Sequence, residues 1–145
     1  MMPSILSQTK NQHNLLENKV AFVTGAGSGI GRAGAMAMAS HGAHVVVTDL
    51  CADKALQVAD AIKSQGYLAS SHGFDVTEDT AFDFFFQDTV DRFGRLDILH
   101  SHAGYQIEGN LEQVSIEGMD LSWKLNVRSH FIAARAVIGL SLIHI

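Results

Sequence analysis

Four glycines crowd one short stretch, and their spacing suits an anion. Val20 to Gly31 reads V-A-F-V-T-G-A-G-S-G-I-G. Thr24 closes an apolar run; Gly25, Gly27, Gly29 and Gly31 follow, with Ser28 and Ile30 between them. Glycine lets a backbone approach a ligand where a Cβ would block it. Backbone N–H groups at the start of a helix face a phosphate, and the helix dipole favours its charge. The chemistry offered is the grip on a pyrophosphate. Farther along, Asp49 ends a second apolar run. A carboxylate at that place accepts hydrogen bonds from the hydroxyls of an adenosine ribose. The same carboxylate repels a 2′-phosphate. The two places from which a basic residue would offset it hold Ser28 and Leu50. These signals together favour NAD over NADP.

The elements that must hold these groups alternate between strand and helix. Val20 to Val23 suits a strand buried on both faces. Arg32 to Ser40 is rich in alanine and methionine, which form helix readily, and His41-Gly42 stops it. Ala43 to Asp49 reads as the second strand. Cys51 to Gln65 reads as a helix with Ala55, Leu56, Ala59 and Ile62 on its apolar face and Gly66 as its stop. Tyr67 to Phe74 is a weaker third strand, since Ser70, Ser71, His72 and Gly73 dilute it. Thr77 is the expected cap of the next helix, with Glu78 and Asp79 in its first turn. Phe82, Phe85, Phe86, Val90 and Phe93 give that helix a wide apolar face, and Gly94 ends it. Leu96 to Ser101 makes the fourth strand. A loop from Tyr105 follows, with Ser115 as cap of a long helix from Glu117 to Ile138.

The pattern T-G-x-x-x-G-I-G resembles the short-chain dehydrogenase/reductase family in full, through Thr24, Gly25, Gly29, Ile30 and Gly31. The resemblance implies a Rossmann-type doubly wound α/β fold, a parallel sheet of four strands in the order 3-2-1-4 with helices on both faces. It assigns Asp75 and Val76 a place beside the adenine ring. Ser101-His102-Ala103-Gly104 stands where members carry Asn-Asn-Ala-Gly or Asn-Ala-Ala-Gly, under the nicotinamide ribose. Ala103 and Gly104 match; Ser101 and His102 depart. Asn126 matches the family's buried helix asparagine, which kinks the helix and holds a water in a proton relay. The rest of the catalytic set is a serine and a Tyr-x-x-x-Lys pair. The tyrosines here are Tyr67 and Tyr105, and four residues on stand Ser71 and Gly109, so neither has the lysine. The resemblance thus covers Val20 to Ile138 and the front half of a member. It implies a parent enzyme that transfers hydride between a nicotinamide cofactor and a small alcohol or carbonyl substrate. It also implies a homo-oligomer, dimer or tetramer, paired through the long helix. Two other readings stay open: a module that senses NAD(H) without chemistry, and a methyltransferase-like fold binding S-adenosylmethionine.

Bulk properties narrow the classes further. The chain has 145 residues, enough for one domain but for about four strands rather than the six of a full dinucleotide fold. Hydrophobic residues make 47% and charged residues 17%, which marks a globular chain. A net charge of −5 without a basic block argues against nucleic acid as a partner. Residues 1–145 hold no apolar run of membrane-spanning length. The single Cys51 excludes an internal disulfide and fits a reducing, cytoplasmic compartment. His100 and His102 point the same way on a strand, but no third ligand completes a metal motif. Residues 1–15 are expected to be a mobile tail and 16–139 the partial domain. Residues 140–145 are expected to be foreign: Leu-Ser-Leu-Ile-His-Ile is what CTG TCT CTT ATA CAC ATC, a transposon-end adapter, encodes.

Overall fold

A computed structural model describes residues 14–141. Most of the expected tail and the segment 142–145 lie outside the described residues. Four parallel strands form one sheet in the order β3-β2-β1-β4, as expected: β1 (Val20–Val23), β2 (His44–Asp49), β3 (Ala69–Gly73) and β4 (Ile98–His100). Val20 pairs with His44 and Val23 with Val47; on the other side Ala21 pairs with Ile98 and Val23 with His100. The crossovers are α1 (Gly29–Ser40), α2 (Ala52–Ser64) and α3 (Ala81–Phe93).

The two-residue period of a strand divides the core into two layers. Ala21, Val23, Val45 and Val47 face α1 and α2, where Ala35, Ala39, Ala55, Val58, Ala59 and Ile62 meet them. Small side chains dominate that contact, so these helices lie close to the sheet. Val20, Phe22 and Val46 face the other way, against Phe74, Phe82, Phe86 and Ala133. Phe22 and Phe86 meet edge to face with ring centroids 4.9 Å apart, a favoured aromatic geometry.

Several boundaries depart from the sequence reading. Helix α1 starts at Gly29 rather than Arg32, so the last two glycines of the loop are already helical. Cys51 precedes α2 as its cap residue instead of lying in its first turn. Leu56 is exposed, and Val58 takes its place in the core, because 55, 58, 59 and 62 share a face that 56 misses. Thr77 caps nothing: its N–H and hydroxyl both donate to Asp75 Oδ1 at 2.8 Å, and α3 begins only at Ala81. Strand β4 is confined to Ile98–His100, so Leu96 and Ser101 flank it.

Ser115 does cap the next helix, accepting the Gly118 N–H at 3.0 Å. The long helix is continuous but uneven. It runs as α4 (Ile116–Trp123), a π-helical turn (Lys124–Arg128) and α5 (Ser129–Ser141). A widened turn of this kind is rare and gathers at functional sites. Among the described residues no helix is long and apolar enough to cross a membrane.

Candidate functional site

A cleft of about 680 Å³ opens at the carboxyl ends of β1, β2 and β4. That is the crevice where open α/β sheets bind ligands, and its size suits a small molecule. Gly25, Ser28, Gly29 and Ile30 line one side. Asp49 and Leu50 line the next stretch, and Asp75 and Val76 follow. His102, Ala103 and Gly104 close the far side, with Tyr105, Leu121 and Leu125 beyond. Eleven of the expected site residues are thereby brought to one cleft.

The others lie behind it and explain its shape. Thr24 is buried, and its Oγ1 accepts the N–H groups of His102 and Ala103, both at 3.0 Å. It ties the end of β1 to the segment after β4. Gly31 is buried where α1 crosses the loop; a Cβ there would stand 2.2 Å from the Gly25 carbonyl oxygen. Only glycine permits that approach. Gly27 donates its N–H to Asp49 Oδ2 at 3.0 Å, and a Cβ on it would lie 2.7 Å from the same oxygen. The other oxygen, Oδ1, accepts the Cys51 N–H at 3.0 Å. Asp49 thus locks the glycine loop to the start of α2, and each oxygen keeps a lone pair free.

Two expected side chains do not reach the cleft floor. Ser101 turns to the opposite face, with its Oγ 2.6 Å from His130 Nδ1 on α5. Asn126 sits within the π-helical turn, and it is exposed, not buried as its resemblance implied. Its amide clamps Tyr105: Oδ1 accepts the Tyr105 N–H at 3.0 Å and Nδ2 donates to the Tyr105 carbonyl at 2.8 Å. Nδ2 also donates to Ser122 Oγ at 3.1 Å. The residue is exposed because no element packs over that face of α4, which buries none of its residues.

His100 and His102 project to the α1 side, ring centroids 5.3 Å apart. His100 Nδ1 is buried with no partner among the described residues. Burial, then the neighbouring His102, holds the His100 imidazole below its ordinary basicity. A neutral ring therefore underlies the loop, as the pyrophosphate-facing side requires no extra charge there.

One basic residue escaped the sequence reading. Lys54 lies in the first turn of α2, and its Cβ would be 2.8 Å from a Cβ placed on Gly27. The expectation that nothing basic stands near Asp49 considered only Ser28 and Leu50. The available signal was helical geometry: a residue one turn beyond Asp49 returns to the loop.

A family model described as short chain dehydrogenase matches residues 19–142. Among curated relatives, a (2S)-[(R)-hydroxy(phenyl)methyl]succinyl-CoA dehydrogenase subunit, BbsD, of Thauera aromatica is 33% identical over 86% of this chain and 50% of its own. Versicolorin reductase stcU of Emericella nidulans is 40% identical over 83% of this chain and 46% of its own. A solved structure, the citronellol catabolism dehydrogenase AtuB of Pseudomonas aeruginosa PAO1, superposes with a TM-score of 0.83 at 31% identity, covering 88% of this chain and 52% of that one. The chain spans about half the length of the curated relatives it matches. Members of the matched family are oxidoreductases that bind nicotinamide cofactors and act on small molecules. With its sheet order, its loop and this match over most of its length, the chain belongs to the short-chain dehydrogenase/reductase family.

Proposed function

We propose that this chain is the NAD-holding part of an oxidoreductase acting on a small alcohol or carbonyl compound. The observation that carries the reading is the Asp49 carboxylate, hydrogen-bonded to the glycine loop and facing the cleft with a lone pair free on each oxygen. The residues fit a dinucleotide. The absence of a Cβ at Gly25, Gly29 and Ser28's neighbour Gly27 leaves backbone open to a pyrophosphate. Asp49 would accept from the adenosine ribose hydroxyls, and Asp75 and Val76 would flank the adenine. The backbone of His102, Ala103 and Gly104, held by Thr24, would support the nicotinamide ribose. When bound, the cofactor supplies hydride exchange at nicotinamide C4 with a carbinol or carbonyl carbon.

Asn126 is the one member of the family's catalytic set that this chain supplies. Here it orients Tyr105 at the rim of the cleft. No Tyr-x-x-x-Lys stands in these 145 residues, so the alcohol proton has no positioned acceptor and the chain by itself is inactive. The same fact supports a second reading, a module that holds NAD(H) without chemistry. The domain spans 16–139 in this reading, with 140–145 non-native, and the single Cys51 fits a cytoplasmic location. The parent is a homo-oligomer: Ile116, Met119, Trp123, Val127, Phe131 and Ile138 recur at helical spacing along α4 and α5, and all are exposed.

Calorimetry of the purified chain with NAD and with NADP tests the cofactor assignment. NAD is expected to bind more tightly; equal or tighter NADP binding overturns it. Asp49→Ala should weaken NAD ~10-fold or more, because hydrogen bonds to a charged acceptor are lost, and should narrow the gap to NADP. Incubation with NAD and a panel of secondary alcohols should give no NADH absorbance, and turnover of any of them refutes the inactive state.

A further inference from the structure

We infer that Lys54 sets how strongly this cleft discriminates against a 2′-phosphate. The inference rests on the proposed role of Asp49 at the adenosine ribose. Both oxygens of that carboxylate are anchored, Oδ2 by the Gly27 N–H and Oδ1 by the Cys51 N–H, each at 3.0 Å. The negative charge therefore cannot swing away from an incoming phosphate. Beside it, one point of space decides the local chemistry. A Cβ on Gly27 would stand 2.7 Å from Asp49 Oδ2 and 2.8 Å from Lys54 Cβ. The lysine stem thus starts against the same spot that the carboxylate touches. Lys54 is exposed, and among the described residues it makes no ion pair. Its ammonium, on a flexible stem with three donors, is free to reach the ribose edge.

The two groups act differently on the two cofactors. A ribose with free hydroxyls needs an acceptor, which Asp49 is, and gains little from an ammonium. A 2′-phosphate brings nearly two negative charges and three acceptor oxygens. Asp49 repels it; Lys54 attracts it and donates to it. Selectivity is then a balance of two side chains of opposite sign, and the lysine is the adjustable one, because it holds no part of the loop together. Asp49 cannot play that part, since its removal also frees Gly27 and Cys51.

The test uses the full chain and two probes, AMP and adenosine 2′,5′-bisphosphate, titrated at low salt into the unaltered protein, Lys54→Ala and Lys54→Arg. Lys54→Ala is expected to weaken the bisphosphate about 5-fold while AMP changes less than about 2-fold, and Lys54→Arg should keep the original ratio. Added salt should shrink the difference between the unaltered protein and Lys54→Ala. If AMP binds but the substitution shifts both probes equally, or neither, the inference is overturned while the reading of the cleft stands. If neither probe binds the unaltered protein, the reading of the cleft fails and the inference falls with it.

Discussion

The two flanks of the sheet are built to different standards. On the glycine-loop flank every residue of β1 is buried, Val45, Val46 and Val47 are fully enclosed, and α1 and α2 seal the layer with alanines. On the other flank β4 is three half-buried residues at an open edge, and neither α4 nor the π-helical turn buries any residue. Trp123 is 58% exposed and Phe131 67%. The nucleotide loop hangs from the sealed flank and inherits its rigidity through Ala26, Gly27 and Thr48, whose hydrogen bonds cross from β1 to β2. The rim that would face a substrate is held by side-chain hydrogen bonds alone. Binding and chemistry thus draw on separate supports, and the first stands without the second.

The contrast is broken most directly by removing a ring from each side. Phe22→Ala deletes a fully buried side chain and should cost about 3–5 kcal/mol, a large part of the stability of a domain this size. Trp123→Ser should stay within about 0.5 kcal/mol, as exposed substitutions do, and should reduce self-association seen by size exclusion. Urea melts of both variants decide it; equal losses would mean that the α4 face is packed in solution. A smaller disturbance goes to the loop itself. Gly31→Val forces a branched side chain against the Gly25 carbonyl and should weaken NAD ~100-fold in a titration of the soluble chain. Unchanged affinity would show that the loop does not hold the pyrophosphate. Smaller again, Asn126→Ala frees the Tyr105 backbone and should cost about 1 kcal/mol. Hydrogen exchange at Tyr105 should quicken while Gly27 N–H, on the sealed flank, keeps its protection.

What could be read in advance follows the same division. The sheet order and the glycine loop were legible because buried parallel strands are continuous apolar runs, and close approach restricts a position to glycine. Thr77 was misread because Ser, Thr and Asp before a helix compete for one role; Asp75 wins it by binding Thr77 in a turn, and the helix waits until Ala81. Leu56 and Val58 could not be ranked without knowing which face of α2 meets β2. Asn126 was expected in a core, but burial depends on what covers a residue, and that is a property of the fold rather than of the residue. Ser101 and Lys54 were hidden for a related reason. One lies on the strand face opposite its neighbours, and the other returns to the cleft only through the helical turn after Asp49.

Acid gives the mildest probe of the two flanks, and its sign can be worked out. Three histidines sit below their ordinary value of 6.5: His44 through burial and then Lys63, His72 through burial and Arg92 against the pull of Asp88, and His100 through burial and His102. Each therefore favours the neutral form in the fold. Their contribution is fully present above about pH 6.5 and is lost as the pH falls below it, because the unfolded chain takes up protons first. Asp97 responds in a lower window. Burial raises its carboxyl, but the hydrogen bonds from Arg95 and the Val20 N–H outweigh that and leave it below its ordinary 3.8. Its contribution holds until the pH drops under that value. The melting temperature should thus decline in two separate steps on acidification, a shallow one near neutrality and a steeper one in strong acid. His100→Leu should shrink the first step alone, since the Nδ1 it removes has no partner to lose. A midpoint that stays flat or rises between about pH 7.5 and pH 5.5 would show that the histidines titrate freely and that the β4 edge is wetter than the packing around His100 implies.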